Sequence, residues 1–259
     1  ELAKILDKDI FHEISEAAMS ACLSSMCKLT CKHFKECGGC ALLDLPYAEQ
    51  VARKRAKLAE LLQPFWTAEI PVTLTDNPVY FRNKVELGFC HQVKWDPNYN
   101  KKDPANKTRP LVFEQALGFK LKGKWDRAVD IEECFLFNEK LIPLLKAVRA
   151  WAAAEGLEYY DQRKHTGVLR HLMVREGKNT GEGMVVLFVT NDFNEKPFVA
   201  AVESVFPPFN IMSAVNNGLA DSAAPESLKV LKGQDSFVEK ILLTDGAGKT
   251  EREVLFKLS

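Results

Sequence analysis

Apolar positions change their period several times along this chain. Over residues 1–25, Leu2, Leu6, Ile10, Phe11, Ile14, Ala18 and Ala21 recur at near-helical spacing and predict one or two short amphipathic helices. Asp44 and Pro46 mark a second helix start, and the run to about Leu62 sets Leu58, Leu61 and Leu62 against the basic residues Arg53, Lys54, Arg55 and Lys57. From Pro71 the period shortens. Across residues 80–90, Phe81, Asn83, Val85, Leu87 and Phe89 alternate with Arg82, Lys84, Glu86, Gly88 and Cys90, which is strand patterning. A polar hairpin tip is expected over 95–110, a second strand over 114–121 and a short third over 128–131. Helical period returns at Leu141, Leu144, Leu145, Val148 and Trp151, with Gly156 as the stop. Strands at 167–175, 184–190 and 210–215, a helix at 195–205 and a closing β-meander through 230–231, 238–243 and 254–258 complete the pattern. The expected class is α+β: a mainly antiparallel sheet flanked by helices. Three regions follow from it, an N-terminal helical extension (1–27), a cysteine loop with a basic helix (28–62) and a central α/β domain (63–259).

Composition narrows the partners. Lys plus Arg and Asp plus Glu both number 35, so the formal net charge is zero and any nucleic-acid surface must be a local patch. No apolar run approaches the roughly 20 residues that span a bilayer. The chain starts at Glu1 without an initiator methionine or a signal-peptide core, and is expected to be a fragment or processed form. Seven cysteines, an odd number crowded toward one end, point to a reducing compartment and metal chemistry rather than a disulfide framework.

Cys31, Cys37 and Cys40 stand in a C-x5-C-x2-C pattern with Gly38 and Gly39 in the short gap, where the backbone can bend tightly. Converging thiolates select zinc or an iron–sulfur cluster. Two residues are candidates for a fourth ligand. Cys27 gives a local set of four suited to structural zinc, and Cys134 gives a remote ligand suited to a cluster stitched into the domain.

The same loop followed by Leu45, Pro46, Tyr47 and Gln50 resembles the RNA uracil-5-methyltransferases that carry a 4Fe-4S cluster, the 23S ribosomal RNA type in particular. The resemblance continues at Tyr80 to Glu86, Ala116 to Phe119, Asp130 to Cys134, Leu169 to Arg175 and Gly181-Glu182, over roughly residues 28–259. It implies cluster ligands Cys31, Cys37, Cys40 and Cys134, with Cys22 and Cys27 as spares. It also implies methyl transfer from S-adenosylmethionine to uracil C5, in which a cysteine thiolate adds to C6 and a carboxylate removes the C5 proton. In that family the catalytic groups belong to a Rossmann-like domain expected beyond Ser259, so this chain is expected to be the cluster- and RNA-binding portion, inactive alone. A stand-alone iron–sulfur or zinc RNA-binding module is the alternative, and an electron-transfer or sensor protein a weaker third. The expected partner is RNA, ribosomal rather than transfer, with a monomeric, cytoplasmic protein and no membrane.

Other motifs carry less. Asp245 to Thr250 mimics a phosphate loop, but the glycine needed five positions before Gly248 is Leu243, and a hairpin turn is expected. Cys90 and His91 are adjacent on a strand and point to opposite faces, so they form no catalytic pair, and Cys90 reads as a structural cysteine. His165 and His171 lack a third ligand. For RNA contact, Arg82 and Lys84 on one strand face, Arg53 and Lys54 on the basic helix, and Arg170 are the candidates, joined by Arg163, Lys164, His165 and Arg175. Tyr80 or Phe81 would stack on unpaired bases.

Overall fold

The computed structural model describes residues 29–75, 77–94, 111–244 and 250–259, together with Lys102 and Pro104. The helices expected before residue 26, Cys22, Cys27, most of the 95–110 tip and the turn at 245–249 lie outside the described residues.

Helix α1 (Tyr47–Leu62) begins where Pro46 fixes the preceding backbone, with no side-chain cap, so Asp44 does not serve as one. It buries none of its residues, leaving Leu58, Leu61 and Leu62 exposed beside the basic run. Strand β1 (Lys84–Val93) starts four residues later than alternation predicts. The reason is local. Tyr80 takes a left-handed backbone (φ 54°), and the amides of Tyr80 and Arg82 donate to the carbonyls of Phe135 and Leu136 rather than to a sheet neighbour. Strand β2 (Phe113–Gly118) pairs antiparallel with β1, while the expected strand at 128–131 forms no regular strand: it bridges Lys120 through Ala128 and donates from Val129 and Ile131 to the Phe119 and Leu117 carbonyls.

After helix α2 (Leu141–Ala154) come β3 (Leu169–Glu176), β4 (Gly183–Val189), helix α3 (Glu195–Glu203), β5 (Asn210–Val215) and β6 (Ser227–Lys232). The six strands form one sheet in the order β2-β1-β3-β4-β5-β6. Here the expected mainly antiparallel class is corrected. β4 and β5 run parallel, because α3 carries the chain back across one face between them, and the sheet is mixed. The expected closing meander is also split. β6 joins the large sheet, whereas β7 (Phe237–Thr244) and β8 (Thr250–Leu258) form a separate two-stranded ribbon.

One face of the sheet carries the main core. Val85, Leu87 and Phe89 of β1, Leu172 and Val174 of β3, and Val185 and Leu187 of β4 pack against Leu141, Leu144, Leu145 and Val148 of α2 and Phe198 and Val202 of α3. The opposite face is smaller, with Met184, Val186, Phe188, Met212 and Ala214 covered by Phe237 of the ribbon. The turn between β3 and β4 holds that ribbon: Thr180 Oγ1 donates to the Val238 carbonyl at 2.7 Å and Asn179 Nδ2 to that of Lys240 at 2.8 Å. Gly118, at the end of β2, sits where a Cβ would fall 2.0 Å from the Val129 carbonyl oxygen and 2.5 Å from an Ile131 side-chain carbon. Gly118→Ala is therefore expected to destabilise the chain by about 1–3 kcal/mol through overpacking, read as a lower urea midpoint at unchanged slope.

Candidate functional site

The thiol loop comes together without a regular element. Phe34 N–H donates to the Cys31 carbonyl and Cys37 N–H to that of His33, while Lys35 adopts a left-handed φ of 80°. Gly38 N–H reaches the Lys120 carbonyl at 3.0 Å, and Cys37 bridges Leu121, fastening the loop to the chain that leaves β2. A second set of bonds fastens it to the segment before Cys134. The Lys32 amide donates to the Glu133 carboxylate at 2.9 Å, Lys32 Nζ pairs with Glu132, and the Glu132 amide donates to His33 Nε2 at 3.0 Å.

Those tethers place Cys31, Cys37, Cys40 and Cys134 on the wall of one pocket, whose apolar lining includes Leu43, Phe119, Ile131 and Leu136. His33 and Glu133 also reach it, but both are engaged in the tethers, which leaves four sulfurs as the available donors. Burial pushes each of the four thiols up; Cys40 rises to about 11, with negative charge on Cys134, Cys37 and Cys31 adding to the effect. Gly39 N–H points at Cys37 Sγ from 3.3 Å, the kind of donor that stabilises charge on a ligating sulfur. Arg82 donates to the Gly39 carbonyl at 3.3 Å and lends positive charge to Cys37 and Cys40.

A four-sulfur donor set in an apolar wall fits a thiolate-bound centre, but the sulfurs are not clasped around a point. Among the described residues no group of three or more His, Cys, Asp or Glu is arranged to hold a single metal ion. The free space between the thiols is about 20 Å³, room for one water-sized particle.

The expected RNA-contact residues do not gather in one place. Lys84 opens β1 and pairs with Glu86 at 3.2 Å, both side chains exposed. Arg82 lies at the thiol loop, not beside Lys84 on a strand. On α1, Arg53 pairs with Glu49 at 2.7 Å, and Lys54 is exposed. Arg170 is fully buried, its guanidinium spent on carbonyls and stacked 4.3 Å from the Tyr160 ring centroid, so it stands where no phosphate reaches. Phe81 is 60% exposed and free to stack, whereas Tyr80 is half-buried against Phe135. Cys90 is fully buried next to Ala116 and Ala128, and burial lifts its thiol to about 11 even though Lys120 Nζ lies 3.8 Å away.

Sequence reasoning passed over a polar group behind the sheet. Asp221 accepts from Lys120 Nζ at 2.9 Å and from Gln162 Nε2 at 2.9 Å, and its other near neighbour is His171 Nε2 at 3.6 Å, beyond hydrogen-bond reach. Lys120 and Asp221 lie about a hundred residues apart, and neither carries a sequence signal that it will meet the other.

No protein-family model matches the chain. An uncharacterized RNA methyltransferase of Bacteroides thetaiotaomicron is 27% identical over 221 residues, 82% of this chain and 47% of the relative. The tRNA (uracil(54)-C(5))-methyltransferase of Pyrococcus furiosus is 30% identical over 162 residues, 62% of this chain and 33% of the relative. The crystal structure of Pyrococcus abyssi tRNA (uracil-54, C5)-methyltransferase in complex with S-adenosyl-L-homocysteine superposes with a TM-score of 0.57 at 25% identity, over 79% of this chain and 42% of that one. The chain spans about half the length of the first curated relatives it matches. The match corrects an expectation drawn from the resemblance. The resemblance puts the methyltransferase fold beyond Ser259 and leaves this chain an inactive cluster- and RNA-binding portion; instead 79% of the chain itself superposes on a methyltransferase structure, so that division does not stand. No helix among the described residues is long and apolar enough to cross a membrane. In sequence and in fold, the chain is similar to RNA methyltransferases, a tRNA uracil-54 C5-methyltransferase among them.

Proposed function

We propose that the chain serves S-adenosylmethionine-dependent methylation of uracil C5 in RNA. The observation that carries this reading is the superposition of 79% of the chain on a tRNA uracil C5-methyltransferase crystallised with the demethylated cofactor. The sequence resemblance at Asp130 to Cys134 and Leu169 to Arg175 supports the same chemistry. Cationic side chains offered to RNA phosphates include Lys54 and Arg53 on α1, Lys84 at the start of β1 and Arg82 at the thiol loop, with Phe81 free to stack on an unpaired base. The buried Cys90 thiol is not assigned as the nucleophile.

The experiment incubates the protein with S-adenosylmethionine carrying a labelled methyl group and with unmodified tRNA and ribosomal RNA transcripts side by side. Digestion and mass spectrometry of the nucleosides should give 5-methyluridine. Label found only on another base, or on a uridine position other than C5, overturns the proposal.

Cys31, Cys37, Cys40 and Cys134 are the residues proposed to hold a 4Fe-4S cluster, whose contribution would be a covalent cross-link between the loop and the sheet. Anaerobically purified protein should be brown and contain iron and sulfide. Cys134→Ser should lose most of that iron while Cys90→Ser retains it; colourless protein with one zinc per chain assigns the same four sulfurs to zinc.

A further inference from the structure

A second cavity, of about 210 Å³, opens at the other end of β1, away from the thiol loop. That is room for one flat heterocycle and below the roughly 300 Å³ at which sites for whole drug-sized ligands begin. Its floor is aromatic. His91 of β1 and Phe113 of β2 sit diagonally across the two strands, Phe113 opposite Val93, and their rings lie parallel within 7° with centroids 5.2 Å apart. Lys164 Nζ rests over the Phe113 ring at 5.2 Å, so a π face is already occupied by a cation on a side chain that is 64% exposed and easily displaced.

The wall is acidic and the rim basic. Asp126 is 7% exposed, and its Oδ2 accepts from Arg163 Nε at 2.6 Å. Asp161 is also buried, but its Oδ1 is used by the Arg163 and Lys164 amides at 2.9 and 3.1 Å. Those two bonds shape the tight turn 161–166, closed by a bridge from Asp161 to Thr166 and a left-handed His165, which projects Arg163 and Lys164 toward solvent. Asp126 therefore sets a carboxylate, whose oxygens each accept more than one hydrogen bond, beside a stacking surface with two cations at the mouth.

We propose that this cavity binds the guanine base of an unpaired RNA nucleotide, stacked on Phe113 and His91, hydrogen-bonded to Asp126, with its phosphate on Lys164 and Arg163. Guanine presents N1–H and its exocyclic N2–H side by side, a fork that matches a carboxylate, whose oxygens each accept more than one hydrogen bond. Uracil flanks its single N–H with carbonyls that a carboxylate repels. Cytosine and adenine offer only the exocyclic amine. The base takes the position of the Lys164 ammonium over the ring, and the released lysine meets the phosphate. This assignment rests on the reading of the chain as an RNA-directed protein and adds to it a base preference at this cavity.

The test measures fluorescence anisotropy of the full chain with labelled single-stranded U9 and with U4GU4. A single guanine is expected to tighten binding about tenfold. Asp126→Asn should abolish that ratio. The ratio is the quantity to read, because freeing Arg163 alone raises affinity for any strand. Phe113→Ala, at a ring 42% exposed, should abolish it as well, with the urea midpoint read alongside to confirm that the variant is folded. Equal binding of U9 and U4GU4 overturns the pocket while leaving the RNA reading intact; binding of neither overturns the RNA reading itself. An equal gain from U4AU4 or U4CU4 overturns the guanine assignment. If guanosine 5′-monophosphate alone binds as tightly as U4GU4, the cavity serves a free nucleotide and the RNA assignment falls.

Discussion

Arg170→Ala is expected to lower the unfolding free energy by about 3–5 kcal/mol, seen as a large drop in the urea midpoint. Arg170 occupies the irregularity between Leu169 and His171 where the β3–β4 register shifts, and a bulge of this kind re-aims a side chain. From there Nη1 donates to the Asn216 carbonyl at 2.9 Å, the Asn216 side-chain oxygen at 3.0 Å and the Gly218 carbonyl at 2.6 Å, while Nη2 donates to the Ala220 carbonyl at 3.0 Å. Alanine leaves these acceptors facing a void, and each buried acceptor without a donor costs about 1–3 kcal/mol before the segment relaxes. The contact with the Tyr160 face is lost too. Lysine is not expected to rescue, since an ammonium lacks the planar fork that spans the Asn216 and Ala220 sides at once. A variant that melts like the parent would show that the 216–221 segment holds its place without the arginine.

Protonation of His171 is the second large effect. Burial pushes its imidazole down to about 4; Asp221 opposes the shift, and Lys120 and Arg170 reinforce it. Nε2 is buried without a hydrogen-bond partner. In the unfolded chain the group titrates near 6.5, so between about 6.5 and 4 the unfolded state binds more protons than the folded one. Stability is then fully present above about pH 6.5 and falls as the pH drops toward 4, by up to about 3 kcal/mol. Urea titrations at a series of pH values measure the slope. His171→Gln, which cannot take up a proton, should flatten it in this window; an unchanged slope would assign the acid sensitivity to other groups.

Much of the fold was legible because local pattern and burial agree. Leu141, Leu144, Leu145, Val148 and Trp151 predict α2 to the residue, and each is buried in the core. The alternation of Val85, Leu87 and Phe89 likewise identifies the core face of β1. The start of that strand was not legible, since the preceding residues have strand composition but give their amides to the 135–136 segment. Nor was the parallel β4–β5 pair. Strand direction depends on which face the connecting helix crosses, and the residues of β5 look the same in either direction.

The sites divide in the same way. Spacing alone exposed Cys31, Cys37 and Cys40 as a group, whereas linking them to Cys134 needed the resemblance, because Lys32, His33, Glu132 and Glu133 carry no signal that they will tie two distant segments together. Arg170 stood in sequence as one more cation on a strand; full burial of an arginine is rare, and its acceptors are carbonyls, which composition does not show. The aromatic cavity was invisible for a related reason. His91, Phe113, Asp126 and the Arg163–Lys164 turn come from four separate stretches that only the strand register and the 161–166 turn assemble.

The separation of Cys134 from the loop thiols also orders events during synthesis. Some 90 residues divide Cys40 from Cys134, and at about 5–20 residues per second the ribosome needs roughly 5–20 s to cover them. Throughout that interval Cys31, Cys37 and Cys40 are in the nascent chain without their fourth partner, and the β1–β2 hairpin that anchors their loop is still being made. For the cluster proposed above, delivery to all four sulfurs would be a late step, timed by translation, and until then the early thiols would remain open to oxidation.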